Sequence, residues 1–569
     1  MMPIDLNILI GGAAGQGVHA VTLPLAKTLV RHGLQVMFVQ DYQSRVRGGH
    51  LFNKIRLADK PLLSSREGVD LLVALNQETL ALHQDELSPQ GVIIYDAAQV
   101  KAAPLGRMAL GLSPKDLIAD PKAGEIAVNA GACGAILGLL NIPLAPALAL
   151  LQETFADKGS QVVEWNVTAA TRGYELAAAL KSPFSLKDIT PPPEPRLLIG
   201  GHDALALGAL AAGLQFISGY PMTPWTGVLN AVGLRAVRYA VVVEQAEDEI
   251  AAINLAIGAA YAGVRAMTGT SGGGFCLMTE ALGLAAVTET PLVIVEAMRP
   301  GPSTGLPTRT EQGDLGFVLF AGQGDFPRAV LAPGTPAQGF VLAARAFNLA
   351  ERYQLPVFLL TDQAFADTHI THLPAEFPEP EIDRALETAP AAGPYERYAF
   401  TPSGVSPRRL PGLGPELVVA DSDEHTPDGH LTEDLAVRIK MHDKRLAKLK
   451  GLVQELNGIT TAGPKDAPLT LACWGSSLGP VQEAAARLTA SGVPARMVHF
   501  SELWPFPQAA VADALEGTRK LVMVEMNATG QFNRLLRQET GIQADHLVLK
   551  YDGAPFTPEY ILRGLKANV

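Results

Sequence analysis

ISGYPMTPWT (residues 217–226), followed by VVVEQAEDEIAA (residues 241–252), decides how this chain is read. The apolar run LGALAAGLQFIS carries the chain up to Gly219. Pro221 and Pro224 each hold φ at about −65° and push the residues before them away from helix. The stretch is therefore predicted to be a short stiff loop that presents Tyr220, Pro221, Met222 and Thr223. YAVVV then reads as a buried strand, and Glu244, Glu247, Asp248 and Glu249 crowd the first turn of an Ala/Ile-rich helix. Acids in a first turn ordinarily do no more than complement the N–H ends of the helix. A rigid loop and an acidic helix start at the ends of neighbouring strands would also face one crevice, and open α/β sheets bind ligands there.

The same alternation continues outward. YAVVV, RAMTGT, PLVIVEA, RAVLAP and LPVFLLTD are predicted strands separated by helical segments, which implies a mostly parallel sheet covered on both faces. Upstream, IDLNILIGGAAGQGV reads as strand, glycine turn and helix start, a layout that lets backbone N–H groups approach a phosphate. Gly11, Gly12, Gly15 and Gly17 do not have the spacing of the dinucleotide fingerprint. SPFSLKDITPPPEPR is a semi-rigid linker, because consecutive prolines favour an extended chain. Residues 365–415 are Pro-rich and aperiodic, so they are expected to run over the surface or along a partner. Asp421, Asp423, His425, Asp428 and His430 match neither helical metal-ligand spacing nor a calcium loop and read as a polar turn. A long amphipathic helix follows over 431–456, and a smaller α/β unit starts with LTLACWGSS. The chain is thus read as an α/β protein of three α/β domains, 1–181, 197–380 and 467–569. A linker (182–196) and an extended connection with a long helix (381–466) join them.

Composition narrows the function classes. Of the 569 residues, 48% are hydrophobic and 18% charged, so most of the chain buries cores. The net charge of −12, with no basic run apart from KMHDKRLAKLK, argues against nucleic acid. VNAGACGAILGLLNIPLAPALALL (128–151) lacks charge, but its asparagines and prolines suit a turn-broken pair of interior segments better than a membrane span. The N-terminus shows no positively charged leader, and Cys133, Cys276 and Cys473 are isolated, which suits a reducing, cytoplasmic compartment. Thiolate-held iron–sulfur clusters take about four cysteines, so three scattered ones are not expected to hold a cluster within this chain.

The ordered set YPMTP, EQAEDEIAA, TSGGG and RPGPSTGLPTRTEQ resembles the alpha chain of the 2-oxoacid:ferredoxin oxidoreductases. GGAAGQG with DYQSRVRGGH (41–50) resembles the gamma domain of the same family, here fused at the N-terminus. The resemblance implies a thiamine-diphosphate enzyme that decarboxylates a 2-oxoacid and makes an acyl-CoA while reducing ferredoxin. It implies a gamma-type domain on the coenzyme A side, with Arg45 and Arg47 able to grip phosphate. It further implies a pyrimidine-binding second domain and a third domain like the C-terminal domain of transketolase. By this resemblance Glu249 is the carboxyl that contacts the aminopyrimidine ring and promotes loss of the thiazolium C2 proton, with Glu244 as second choice. Thr223 would contact the 2-oxoacid, and Arg299 would bind its carboxylate, a task suited to a bidentate guanidinium. Ser303, Thr304, Thr308 and Arg309 would form a second wall, with Arg309 the cation for a distal carboxylate. Trp225 replaces a smaller family residue and is expected to reshape the pocket.

An absence sharpens the expectation. The family holds Mg²⁺ and the diphosphate on a G-D-G motif, and none occurs here. A beta subunit is therefore expected to bring Mg²⁺, the diphosphate half of the site and the [4Fe-4S] cluster, in an (alpha-beta)2 assembly that serves ferredoxin. The 2-oxoacid is expected to be 2-oxoglutarate, with pyruvate, branched-chain and aryl 2-oxoacids as alternatives. A dinucleotide-dependent dehydrogenase and a non-catalytic scaffold subunit are the competing readings from other classes.

Overall fold

A computed structural model of the chain describes residues 4–43, 49–101, 106–186, 189–388 and 393–566. Arg45 and Arg47 lie outside the described residues. The chain forms two compact units: 1–199 with 368–376, and 200–367 with 377–569.

In the first unit an eight-stranded sheet begins at Met108–Leu112 and runs through Leu87–Asp96, Val69–Ala74, Asp5–Ala13, His50–Ala58, Gln35–Asp41, Thr368–His372 and Leu197–Gly200. Asp5–Ala13 lies parallel to Val69–Ala74 and antiparallel to His50–Ala58. The uncharged stretch 128–151 falls on two helices, Gly124–Leu140 and Ala145–Phe155, separated by Asn141 at φ 57°. The first of these is buried against the helix Ser160–Ala178, and glycines make the approach possible. A β-carbon on Gly134 would stand 1.9 Å from the Ala170 carbonyl oxygen, and one on Gly173 would stand 2.0 Å from that of Gly131. Among the described residues no helix is long and apolar enough to cross a membrane.

The strand Thr368–His372 lies in the stretch expected to belong to the second domain, yet it pairs antiparallel with Gln35–Asp41 in the first unit. Thr371 explains part of this capture: its hydroxyl accepts from Val36 N at 2.9 Å and donates to Val36 O at 3.1 Å.

The second unit holds a seven-stranded and a five-stranded sheet. The centre of the larger one is parallel, as the apolar runs predict: Pro356–Asp362, Leu292–Met298, Ala266–Thr270, Phe216–Gly219 and Val242–Gln245, in that order. Val242–Gln245 is one edge. At the other edge the short strand Glu502–Trp504, from the C-terminal part of the chain, pairs antiparallel with Ala329–Leu331. The smaller sheet is built from Ile459–Ala462, Ala495–Phe500, Leu469–Trp474, Lys520–Glu525 and His546–Leu549. One buried apolar cluster, from Ile253 and Phe275 to Trp474 and Phe532, spans both sheets.

The aperiodic segment after 377 is fastened by arginines. Arg384 and Arg408 both donate to the buried Glu351, and Arg397 donates to Gln354 Oε1 and to the Glu289 carbonyl. In the polar turn, Glu424 accepts from Arg438 and Arg445, and the buried His425 ring lies 4.0 Å from that of Tyr398. The long helix spans Leu435–Glu455.

Candidate active site

Trp225 organises the loop. It is fully buried, and its Nε1 donates to the Tyr220 carbonyl at 3.2 Å. Gly219 and Gly269 are paired across two neighbouring strands, and β-carbons there would stand 2.4 and 2.3 Å from the indole. The expectation that Trp225 reshapes a substrate pocket is therefore corrected: its bulk fills space opened by two glycines in the sheet. The half-exposed Tyr220, Pro221, Met222 and Thr223 are held above it.

The acidic helix start divides its work between two residues. Asp248 caps the helix Glu249–Tyr261, its Oδ1 accepting from Ala251 N at 2.8 Å. Capping is thus satisfied without Glu249, whose carboxyl is buried, with the residue only 3% exposed. Thr270 Oγ1 donates to Glu249 Oε1 at 3.3 Å and also lies 3.7 Å from Met222 Sδ. A single hydroxyl thus joins the proline loop to the acid. Gly274, in the first turn of the helix Gly272–Val287, makes room for this arrangement: a β-carbon there would stand 2.3 Å from Glu249 Oε1. Glu244 is exposed, which leaves Glu249 as the buried acid of the pair.

Arg299 follows the strand Leu292–Met298, and its Nη1 donates to the Thr223 carbonyl at 2.7 Å. That is its one hydrogen bond among the described residues, so further guanidinium donors remain for a ligand. Burial pulls its pKa down while the nearby Asp314 pushes it up. Ser303 and Thr304 are exposed, although the Ser303 carbonyl lies near Gly273. Thr308 is half-buried, and the Arg309 stem packs on Gly553. Thr223, Met222, Glu249 and Arg299 are therefore linked to one another. The loop carrying Ser303, Thr304, Thr308 and Arg309 crosses the start of the Gly272 helix and turns toward the C-terminal segment.

Sequence reasoning missed three residues here. Thr270 is the bridge just described. Glu296, on the strand before Arg299, is fully buried, and Asp314 approaches the start of the Gly272 helix. Glu525 and Asn527 serve a contact within the chain. Asn527 Nδ2 donates to the Gln312 carbonyl, while Glu525 accepts from Trp474 Nε1 and from the backbone of Phe532 and Asn533. Gln312 in turn donates to the Trp474 carbonyl and accepts from Met526 N. The smaller sheet therefore fixes residues 310–316, just beyond Arg309.

Residues 207–444 match the family model of the thiamine-diphosphate-binding domain of pyruvate flavodoxin/ferredoxin oxidoreductases. Residues 7–176 match the pyruvate ferredoxin/flavodoxin oxidoreductase model, and 467–560 match core domain II of pyruvate:ferredoxin oxidoreductase. The chain is 32% identical to the alpha subunit of 2-oxoacid:ferredoxin oxidoreductase 2 from Aeropyrum pernix, over 97% of this chain and 96% of that one. It is 32% identical to the 2-oxoglutarate oxidoreductase subunit KorA of Mycobacterium tuberculosis, over 90% and 83%. It superposes with a TM-score of 0.92, 32% identity and 99% coverage of both chains on the 2-oxoglutarate:ferredoxin oxidoreductase of Magnetococcus marinus, solved with 2-oxoglutarate, coenzyme A and succinyl-CoA bound. On these matches the chain belongs to the 2-oxoacid:ferredoxin oxidoreductase family as an alpha subunit.

Proposed function

We propose that this subunit contributes the pyrimidine half of a thiamine-diphosphate site at which 2-oxoglutarate is oxidatively decarboxylated to an acyl-CoA, reversibly, with ferredoxin as electron acceptor. The observation that carries the reading is the Glu249 carboxyl, buried beside Thr270 and Gly274 and facing Met222 of the proline loop. A second Glu249 oxygen without a hydrogen bond among the described residues suits an aminopyrimidine nitrogen as partner. When bound, the coenzyme supplies the carbanion chemistry that decarboxylation needs.

The chain's own residues do the rest. Glu249 offers a desolvated acid at a fixed place. Arg299 binds the carboxylate beside the reacting carbonyl, held in position by its bond to the Thr223 carbonyl, and Thr223 turns a free hydroxyl to the substrate. Arg309 takes the distal carboxylate, with Ser303, Thr304 and Thr308 on the second wall. The similarity to a 2-oxoglutarate oxidoreductase subunit and to an enzyme solved with 2-oxoglutarate bound favours that substrate. Pyruvate, branched-chain and aryl 2-oxoacids are the alternatives.

The diphosphate, Mg²⁺ and [4Fe-4S] cluster belong, in this reading, to a beta subunit in an (alpha-beta)2 assembly in the cytoplasm, and coenzyme A is the co-substrate served by the N-terminal gamma-type domain, with Arg47 a candidate contact. The edge strand Val242–Gln245 supports such a seat. Around it Leu234 and Val237 are 86% and 99% exposed, and Val242, Ile250 and Leu255 also present apolar surface. Reconstitution with the beta chain tests the proposal. Acyl-CoA formation from 2-oxoglutarate, faster than from pyruvate and branched-chain acids, is expected. Preference for another 2-oxoacid would reassign the substrate, and turnover unchanged by Glu249→Ala would leave only a scaffold.

A further inference from the structure

The C-terminal run KYDGAPF (550–556) forms a turn directly after the strand His546–Leu549. Its own residues close it. Asp552 Oδ1 accepts from Ala554 N at 3.0 Å, the local bond that an Asp in a turn makes to the backbone two residues on. Lys550 Nζ holds the same carboxylate at 2.5 Å, Lys550 N donates to the Glu525 carbonyl at 3.1 Å, and Phe556 is buried. Gly553, between these fastenings, has a φ of 83°, which glycine adopts without steric cost. The turn is therefore fixed to the smaller sheet, and it meets the loop that carries Arg309.

Two contacts join them. The Gly553 carbonyl accepts from Thr310 N at 3.1 Å. A β-carbon on Gly553 would stand 3.0 Å from Arg309 Cβ and 3.3 Å from both Arg309 Cγ and Leu306 Cδ1. Thr310 is also held from the other side, its hydroxyl donating to Asp362 Oδ1 at 3.3 Å and accepting from Ala364 N at 3.1 Å. Arg309 Cβ is the root of its side chain, so no change of rotamer carries it away from residue 553. A side chain at 553 must therefore displace either the turn from Thr310 or the backbone of Arg309, and both move the guanidinium. Arg299 hangs on a different strand and is tied to the Thr223 carbonyl, so it stays in place. We infer that Gly553 is a specificity-determining residue: by lacking a side chain it sets where Arg309 meets the distal carboxylate, and so selects dicarboxylic over monocarboxylic 2-oxoacids. It acts through Arg309, as a positioning residue.

The inference rests on the reading of Arg309 as the cation for the distal carboxylate, and the test separates the two. Reconstituted alpha–beta complex is assayed for acyl-CoA formation from 2-oxoglutarate and from 2-oxobutyrate, which lacks the second carboxylate. Gly553→Ala adds the β-carbon. Gly553→Asn adds it in a residue that tolerates positive φ, so strain in the turn differs between the two while the contact with Arg309 is shared. Both are expected to raise KM for 2-oxoglutarate roughly ten- to a hundredfold, the cost of a misplaced binding group, and to leave KM for 2-oxobutyrate within about twofold of wild type. KM does not depend on how much of the enzyme is folded, so a merely structural role would not split the two acids. If both Gly553 variants change the two acids alike, or change neither, while Arg309→Gln still lowers kcat/KM for 2-oxoglutarate relative to 2-oxobutyrate, the inference is overturned. If Arg309→Gln leaves that ratio unchanged, the distal-carboxylate reading itself fails, and the role of Gly553 with it.

Discussion

Glu249 and Asp248 are adjacent acids with opposite duties. Asp248 spends its carboxylate on its own helix, while Glu249 turns inward toward Thr270. Replacing Glu249 by Ala in the reconstituted complex should lower kcat by roughly 100- to 10,000-fold, the range removed with a positioned acid–base group, with near-wild-type thermal stability measured in parallel. Gly274→Ala tests the same site sterically. Its new β-carbon would stand 2.1 Å from Thr270 Oγ1 and 2.3 Å from Glu249 Oε1, so the carboxyl must move. Activity is expected to fall as with Glu249→Ala, and helix content by circular dichroism to remain. The pairing of loop and acid was legible in the sequence because both sit at ends of apolar strands, where a parallel sheet gathers its loops. Trp225 was misread because glycines that make room for it, Gly219 and Gly269, become its neighbours only through strand pairing. Glu296 was invisible for a related reason: inside VIVEAM an acid gives no sign that it will be fully buried.

The Leu435–Glu455 helix was predicted from its periodicity, yet it docks through charge. Lys444 and Lys448 reach the buried Glu289 at 2.6 and 2.5 Å. Burial acts to raise the Glu289 pKa, but Lys448, Lys444 and Arg397 outweigh it and hold it at about 2. A carboxyl with a depressed folded pKa contributes stability that is full above its unfolded value and is lost as pH falls through the folded one. The docking contribution of this helix should therefore fade between the ordinary glutamate range and about 2. Amide exchange of residues 435–455 measured down that pH range checks this. Glu289→Ala, which strands two buried ammonium groups, is expected to cost about 3–5 kcal/mol, read as a lowered denaturant midpoint. The charge pattern gave no hint of the partner, since Glu289 precedes these lysines by some 155 residues in the chain.

At the scale of the whole molecule, no G-D-G motif occurs in the chain, and apolar side chains stand exposed around one sheet edge. Leu234→Glu with Val237→Glu, at positions 86% and 99% exposed, should leave the isolated chain folded but weaken co-purification with the beta chain. Unchanged assembly would place the partner elsewhere. The alternation of strands and helices announced the α/β layers. It did not announce the short strand Thr368–His372, because THITH is brief and precedes a Pro-rich stretch that masks it. That strand makes the first unit discontinuous, so the backbone passes between the units three times. A protease cut in the 182–196 linker would therefore nick the chain without releasing a finished N-terminal piece. A gene fragment ending near 199 would leave the Gln35–Asp41 strand as a bare rim, open to pairing with other molecules, so anyone wishing to study this unit alone should graft residues 368–376 back onto it.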